Sequence, residues 1–213
     1  MVRSEDDIMI SIAIVDDHAM VRMGLKYVIN LHSDEFSFAG EHPCGTGAGA
    51  FVANTKPDIL LLDICMPDRD GIKVLEDVLL VRPEQKVIML TTSEADNDVY
   101  RALNMGAKGY LLKDRDSDDL FKAARAVANG GTFVPEAVRE LYRQRQMTED
   151  LTPKESEVLE KLAGGLSTDG IADSMSITDN AVKKHLKSIF AKLGVSDRVN
   201  AVTEAFRRGF VRR

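Results

Sequence analysis

The chain of 213 residues has little cysteine and lacks long apolar runs, which excludes several classes of protein. Its two cysteines, Cys44 and Cys65, are too few for a disulfide framework, and its four histidines lack the spacing of zinc ligands. No stretch approaches the roughly 20 apolar residues of a membrane span. The first ten residues also lack the basic flank and apolar core of a secretory signal. We therefore expect a cytoplasmic protein with no membrane contact.

Nucleotide-binding loops, internal repeats and low-complexity segments are missing as well. The glycine-rich stretch GTGAGA at residues 45–50 has neither the glycine offsets of a dinucleotide site nor the lysine of a phosphate loop. We interpret it as a loop followed by the start of a helix that glycine weakens.

Charge is present but unevenly distributed. The whole chain has a net charge of −6. Residues 1–135 carry 14 Lys and Arg against 22 Asp and Glu, a net of −8, whereas residues 176–213 carry 9 against 3, a net of +6. One end of the chain should repel phosphates, and the other could attract them.

The first 130 residues alternate between short apolar runs and stretches of helical periodicity. This alternation predicts an α/β fold, in which a five-stranded parallel sheet is covered by helices on both faces. The predicted strands lie in ISIAIVDD (10–17), FSFAGE (36–41), DILLLD (58–63), VIMLTT (87–92) and GYLLKD (109–114).

The remainder of the chain signals only helices. Residues 131–148 predict a linker with a charged helix and a flexible joint, and residues 149–213 predict a small four-helix domain. Thr152 and Glu155 form a capping box around Pro153, and Gly194 closes a later helix. The expected domains are therefore 1–130, 131–148 and 149–213.

Polar side chains gather where the predicted strands end. Asp16 and Asp17 follow the first strand, Asp63 ends the third, Thr91 the fourth and Lys113 the fifth. Because ligands of parallel sheets bind at the carboxyl ends of the strands, these residues should form one site. Clustered carboxylates need a cation, and Mg²⁺ prefers such oxygen ligands. We expect Asp63 to be ionised and exposed there as a nucleophile.

The motifs VDDH, LLLDICMPDRDG, MLTTSEAD and GYLLKD resemble the receiver domains of two-component response regulators over about residues 8–130. The resemblance implies a flavodoxin-like fold in which a histidine kinase phosphorylates Asp63. It further implies that Asp16 and Asp17 bind Mg²⁺ together with Asp63 and the main-chain carbonyl of Cys65.

The same resemblance gives roles to three residues on the last two strands. Lys113 would neutralise a phosphoryl oxygen, and Thr91 would hydrogen-bond another. Tyr110 would swing inward as Thr91 moves and so transmit the change. His18 is interpreted as structural.

Two closely spaced helices in the C-terminal part predict a helix-turn-helix, at about 168–174 and 179–193. On the second helix an apolar stripe lies opposite a face that carries Asn180, Lys183, Lys184 and Lys187. Lysines on such a face can neutralise phosphates or donate to guanine in the major groove. A solvated lysine face is the alternative.

The segments LTPKESEVL, GLSTDGIA and AVKKHLKSIFAKLGVSDR resemble the LuxR-type DNA-binding domain of the NarL/FixJ response regulators. The resemblance implies that Lys183, Lys184 and Lys187 reach base edges. Thr178, Asn180 and His185 are weaker candidates for backbone contacts. It also implies that a final helix at about 198–207 supplies a dimer contact on DNA.

Together these features predict a transcription regulator rather than an enzyme, switched by phosphate and dimeric when phosphorylated or bound to DNA. In the resting state, we expect the receiver to mask the recognition helix. A phosphatase of the haloacid dehalogenase type would need a second Asp where Cys65 stands. A receiver controlled by protein or ligand binding without phosphate is the remaining alternative.

Overall fold

The computed structural model describes residues 9–92, 95–113 and 117–211. The ends of the predicted domains (1–8 and 212–213) lie outside the described residues, as do Ser93, Glu94 and Asp114 of the receiver-like motifs.

The chain divides into two compact units. One comprises Met1–Glu94 and Arg101–Arg139, and the other comprises Ala95–Tyr100 and Glu140–Arg213. Among the described residues, none of the helices combines the length and the apolar character that crossing a bilayer requires.

The first unit is built on a parallel sheet which, in the described part of the chain, has five strands in the order β2-β1-β3-β4-β5. The α/β architecture predicted from the sequence is confirmed. The strands are β1 (Ile10–Val15), β2 (Phe36–His42), β3 (Ile59–Asp63), β4 (Lys86–Thr91) and β5 (Gly109–Leu112). The helices that follow them in chain order are α1 (Ala19–Leu31), α2 (Ala48–Thr55), α3 (Gly71–Val81), α4 (Asp96–Met105) and α5 (Ser117–Ala128).

The register of the sheet brings the carboxyl ends of its strands to one edge. Val15 lies opposite Leu62, Asp63 opposite Leu90 and Thr91 opposite Leu112. All five residues of β3 are buried, as expected for a central parallel strand covered on both faces. Asp63, at the end of β3, is therefore held level with the ends of β1 and β4.

The loop between β3 and α3 folds back tightly on the end of the strand. The Gly71 amide donates to the Ile64 carbonyl at 3.0 Å, and the Asp70 side chain caps α3 by accepting from the Ile72 amide. A Cβ at position 71 would lie 2.0 Å from the carbonyl oxygen of Asp63. Only glycine permits this approach.

The glycine-rich segment 45–50 forms the predicted loop and helix start, since α2 begins at Ala48. The amides of Gly45 and Thr46 donate to the carboxylate of Asp68 at 3.1 and 2.7 Å. Because a carboxylate of the same chain already accepts from these two amides, they are not available to bind a phosphate.

The second unit is helical. Its helices after the linker are α7 (Pro153–Ala163), α8 (Thr168–Met175), α9 (Asp179–Leu193) and α10 (Arg198–Arg207). Thr152 and Glu155 form the predicted capping box at the start of α7, and Gly194 ends α9 in the left-handed conformation. Apolar side chains from all four helices share one core.

The linker region contains helix α6 (Glu136–Gln146), as predicted, and the last turn of this helix is hydrogen-bonded to the segment that follows it. Arg145 is buried, and its guanidinium donates to Thr148 Oγ1 at 3.0 Å and to Asp150 Oδ1 at 2.5 Å. This arginine links the end of α6 to the segment before α7, and the predicted flexibility of the joint stays a prediction.

We predict that Gly71→Ala lowers the free energy of unfolding by about 1–3 kcal/mol, since the added methyl forces the backbone near Asp63 to move. Urea unfolding followed by circular dichroism measures the change. Gly24→Ala is the matched control, because its Cβ would meet nothing within 4 Å and the substitution should stabilise α1 by about 0.5–1 kcal/mol. Equal unfolding midpoints for the two variants would contradict the prediction.

Candidate functional site

Two buried carboxylates share one lysine at the carboxyl edge of the sheet. Asp16 is fully buried and Asp63 is 1% exposed. The Lys113 ammonium lies 2.8 Å from Asp16 Oδ2 and 2.8 Å from Asp63 Oδ2. The ammonium that follows β5 therefore compensates the carboxylates at the ends of β1 and β3, whose burial would otherwise be costly.

The expectation that Asp63 stands exposed is wrong. Burial is the largest influence on this carboxyl and raises its pKa, while the contacts with Lys113 and with the Cys65 amide oppose the rise incompletely. Burial also lowers the pKa of Lys113, but Asp16 and Asp63 outweigh it and raise that pKa overall. Lys113 thus remains charged, and ionised Asp63 depends on nearby positive charge.

The acidic cluster has the donors for a hard metal ion. One ligand atom from each of Asp16, Asp17, His18 and Asp63 lies within 4.8 Å of the others. Carboxylate oxygens dominate this set, and Mg²⁺ binds such oxygens while retaining waters. The amide of Cys65 donates to Asp63 Oδ1 at 3.2 Å, and the role of the Cys65 carbonyl as a ligand stays a prediction.

Sequence reasoning left two residues out of this site. The ring nitrogen Nδ1 of His18 lies 2.9 Å from Asp17 Oδ1 and 3.3 Å from Asp16 Oδ1. Arg22 donates from Nη1 to the main-chain carbonyl of Asp16 at 2.8 Å. The position of His18 directly after two aspartates was the available signal, and the position of Arg22 one turn into α1 gave none.

Thr91 ends β4, and Tyr110 lies within β5. Thr91 is buried, and its carbonyl accepts from the Lys113 amide at 2.8 Å, which ties the end of β4 to the lysine. Tyr110 is fully buried. The inward swing expected of Tyr110 when Thr91 moves stays a prediction.

A second candidate site lies on helix α9, which follows α8 after a short turn. Ser176 in this turn adopts φ of 54°, and the Thr178 hydroxyl caps α9 by accepting from the Ala181 amide at 3.2 Å. The buried residues of α9 are Val182, Leu186, Ile189 and Leu193.

The predicted nucleic-acid face of α9 is solvent-exposed. Its side chains at Asn180, Lys183, Lys184 and Lys187 are exposed, and His185 is half-buried. Three lysines within five residues give this face a positive charge that suits a phosphate backbone. Thr178 is also exposed, although its hydroxyl is engaged as the helix cap.

A buried ion pair fixes the far end of α9 against α7. Lys192 Nζ lies 2.8 Å from Glu155 Oε2 and also donates to the Asp150 carbonyl at 2.8 Å. Burial alone would raise the pKa of Glu155, but hydrogen bonds from Lys192, Ser188 and the Thr152 amide outweigh it and lower the pKa to about 2. This pair orients the lysine-bearing helix within the second unit.

Comparison with known proteins follows the same division of the chain. Residues 12–125 match the family model of the response regulator receiver domain, and residues 149–205 match that of bacterial regulatory proteins of the luxR family. The chain belongs to the response regulators that combine a receiver domain with a LuxR-type DNA-binding domain, and is thus a DNA-binding transcription regulator of a two-component system.

Individual relatives extend over nearly the whole length. The chain is 35% identical to the uncharacterized transcriptional regulatory protein YxjL of Bacillus subtilis, covering 95% of this chain and 97% of that protein. It is 36% identical to the response regulator VraR of Staphylococcus aureus, covering 95% and 99%. The structure of RcsB from Salmonella enterica serovar Typhimurium, bound to promoter P1flhDC with phosphomimetic BeF3-, matches with TM-score 0.72, 26% identity and coverage of 92% and 98%.

We predict that Glu155→Gln destabilises the second unit at pH 7 by at most about 3 kcal/mol, the equivalent of a pKa shift from 4.5 to about 2, and by less where solvent screens the pair. A lowered carboxyl pKa stabilises the fold above the unfolded value, and the contribution is lost as the pH falls from 4.5 to about 2. The gap between variant and wild type should therefore close over this range in urea unfolding.

Glu157→Gln on the same helix is the control for this experiment. Glu157 is half-exposed and lies 3.7 Å from Lys161, a surface pair that contributes little. If both variants lost the same stability at pH 7, the assignment of the low pKa to the Glu155 and Lys192 pair would be wrong.

Proposed function

We propose that a histidine kinase phosphorylates Asp63 and that the acyl phosphate switches the DNA-binding activity of the second unit. The observation that supports this most directly is the shared ammonium of Lys113, 2.8 Å from both Asp16 and Asp63. A phosphoryl group on Asp63 would replace one buried negative charge by a larger one beside the same cation. Its oxygens could then take over the contact that Asp63 makes with Lys113.

The chemistry needs positioning and charge neutralisation more than an acid or a base. A carboxylate oxygen of Asp63 attacks the phosphorus of a phosphohistidine, the P–N bond breaks, and the histidine keeps the electron pair. Lys113 neutralises the transferred group, and the Thr91 hydroxyl donates a hydrogen bond to it. Mg²⁺ held by Asp16, Asp17, Asp63 and the Cys65 carbonyl would supply further positive charge to the phosphoryl oxygens.

The output is binding to double-stranded DNA through α9. We propose that phosphorylation releases the DNA-binding domain and promotes dimerisation on a two-fold operator, with α10 as a dimer contact on DNA. The solved complex of RcsB with promoter DNA and BeF3- supports this output by analogy. Since both the kinase reaction and the DNA target require it, we place the protein in the cytoplasm. We propose no catalytic activity beyond phosphoryl transfer to Asp63 and its hydrolysis.

An alternative is a receiver that works without phosphate and responds to a protein or a small ligand. Such a module would not depend on Lys113 and Asp63 facing one another across the sheet edge. The two possibilities differ in whether Asp63 acquires a phosphoryl group.

We predict one phosphoryl adduct on the wild-type chain, and none on Asp63→Asn, after incubation with acetyl phosphate and Mg²⁺. Intact-mass spectrometry measures the adduct, and circular dichroism verifies that the variant is folded. Asp58→Asn is the matched control, because Asp58 binds Ser11 at the opposite end of the sheet. No adduct on folded wild type would favour regulation without phosphate.

We predict that Lys183→Ala, Lys184→Ala and Lys187→Ala each weaken binding to a DNA sequence that the wild type selects from a random pool. Loss of a lysine that contacts a phosphate should reduce the slope of log K against log salt concentration by about one. Loss of a lysine that contacts a base should weaken binding by about 1–3 kcal/mol and relax the sequence specificity. Fluorescence anisotropy at several salt concentrations distinguishes these roles. Lys154→Ala, an exposed lysine of α7, is the control, and equal losses there would refute the assignment to α9.

A further inference from the structure

His18 precedes helix α1 but does not cap it. The residue occupies the N-cap position with an extended backbone, and its side chain makes no capping hydrogen bond. Short side chains with an oxygen acceptor, such as Ser, Thr, Asp and Asn, are the usual residues at this position. The needs of the helix therefore do not account for an imidazole here.

The imidazole ring is turned into the acidic cluster instead. Its Nδ1 atom lies 2.9 Å from Asp17 Oδ1, 3.3 Å from Asp16 Oδ1 and 3.9 Å from Asp63 Oδ2. The main-chain amide of His18 also donates to Asp16 Oδ1 at 2.8 Å, which fixes the backbone beside the carboxylates. One ring nitrogen thus approaches oxygen atoms of three aspartates.

The contact between His18 and Asp17 has the spacing of two ligands of one ion. Asp17 Oδ1 is buried and, among the described residues, accepts no hydrogen bond, although Nδ1 lies only 2.9 Å away. Donor atoms about 2.1 Å from an octahedral cation lie about 3.0 Å apart along one edge of the octahedron. The two atoms are therefore spaced as neighbours in a coordination shell.

The charge of the cluster also calls for a divalent cation. When ionised, its three carboxylates outnumber the Lys113 ammonium by two negative charges. Arg22, which contacts the Asp16 carbonyl, lies 3.5 Å from Glu41 and so adds no net charge. One divalent cation would balance this excess, whereas a protonated imidazole would balance only half of it.

Nitrogen and oxygen ligands select different cations. Mg²⁺ prefers oxygen ligands and water, whereas imidazole suits transition metals such as iron, nickel and zinc. We propose that Nδ1 of His18 is a ligand of the cation in the acidic cluster and gives the cluster a higher affinity for first-row transition cations than for Mg²⁺. The aspartates supply the remaining protein ligands. Because Mg²⁺ also fits these oxygens, the two kinds of cation compete for one site.

Isothermal titration calorimetry of the full chain without an affinity tag, with Ni²⁺ and separately with Mg²⁺, measures the two dissociation constants. The His18→Asn variant should raise the dissociation constant for Ni²⁺ about tenfold or more and change that for Mg²⁺ less than about twofold. Asparagine is a favourable N-cap, so α1 is retained, and the urea midpoint verifies the fold. Excess Mg²⁺ should displace Ni²⁺ from the wild type, because both bind the same cluster.

Two further variants separate a ligand from other roles of a histidine. His42→Asn is the matched control, because Nδ1 of His42 lies 2.8 Å from the Cys44 carbonyl, and both dissociation constants should equal those of the wild type. His18→Ala distinguishes a ligand from a counter-ion. Loss of a ligand weakens Ni²⁺ binding, whereas loss of a positive counter-ion that competes with the metal strengthens the binding of both cations.

Four results would overturn the proposal. The wild type could bind Ni²⁺ no more tightly than Mg²⁺. His18→Asn could leave the affinity for Ni²⁺ unchanged, or lower both affinities by the same factor. His18→Ala could bind both cations more tightly than the wild type does. His42→Asn could lose as much affinity for Ni²⁺ as His18→Asn.

The inference deepens the proposed site, and only its relevance to phosphorylation rests on the proposed function. Cation binding is measured without a phosphodonor. Intact mass of the wild type after incubation with acetyl phosphate and Mg²⁺ tests phosphorylation separately. A wild type that binds Ni²⁺ through His18 but acquires no phosphoryl group would refute the proposed function alone.

Discussion

The structure of the candidate site depends on one interaction, the contact of the Lys113 ammonium with the carboxylates of Asp16 and Asp63. Asp63 ends β3, and Asp16 and Lys113 directly follow β1 and β5, so the interaction exists only when these three strands are paired in the sheet. Burial raises the pKa of Asp63, and the lysine opposes that rise without cancelling it. Added positive charge, or an anionic ligand that binds Lys113, would therefore change the pKa of Asp63.

In the second unit, the cationic helix α9 is held in a defined orientation by two kinds of contact. The apolar face of α9 packs in the core, while the pair between Glu155 and Lys192 fixes its end against α7. Glu155 also completes the capping box with Thr152, so a single carboxylate both starts α7 and positions α9. The lysines on the other face of α9 can therefore remain exposed, because the core of the unit does not depend on them.

Much of this arrangement could be predicted from local patterns, because periodicity and capping signals act over a few residues. The strand ends at Asp63, Thr91 and Lys113, the box of Thr152 and Glu155, and the two faces of α9 are of this kind. The depth of Asp63 could not be predicted, since it depends on how the loop up to Gly71 folds over the strand. Glu155 and Lys192 are 37 positions apart, so no local sequence pattern predicts their pairing. His18 was interpreted as structural because a single histidine carries little signal until its distance to two aspartates is known.

The close approach of Gly71 to Asp63 has a consequence for the direction of any conformational response. Because the start of α3 lies against the Asp63 carbonyl with no room for a methyl group, this wall of the site cannot yield inward. On the other side, the Lys113 amide donates to the Thr91 carbonyl, and the side chains of these two residues can change partners without a backbone clash. A group added to Asp63 would therefore be accommodated by movement on the side of Thr91 and Lys113 rather than on the side of α3.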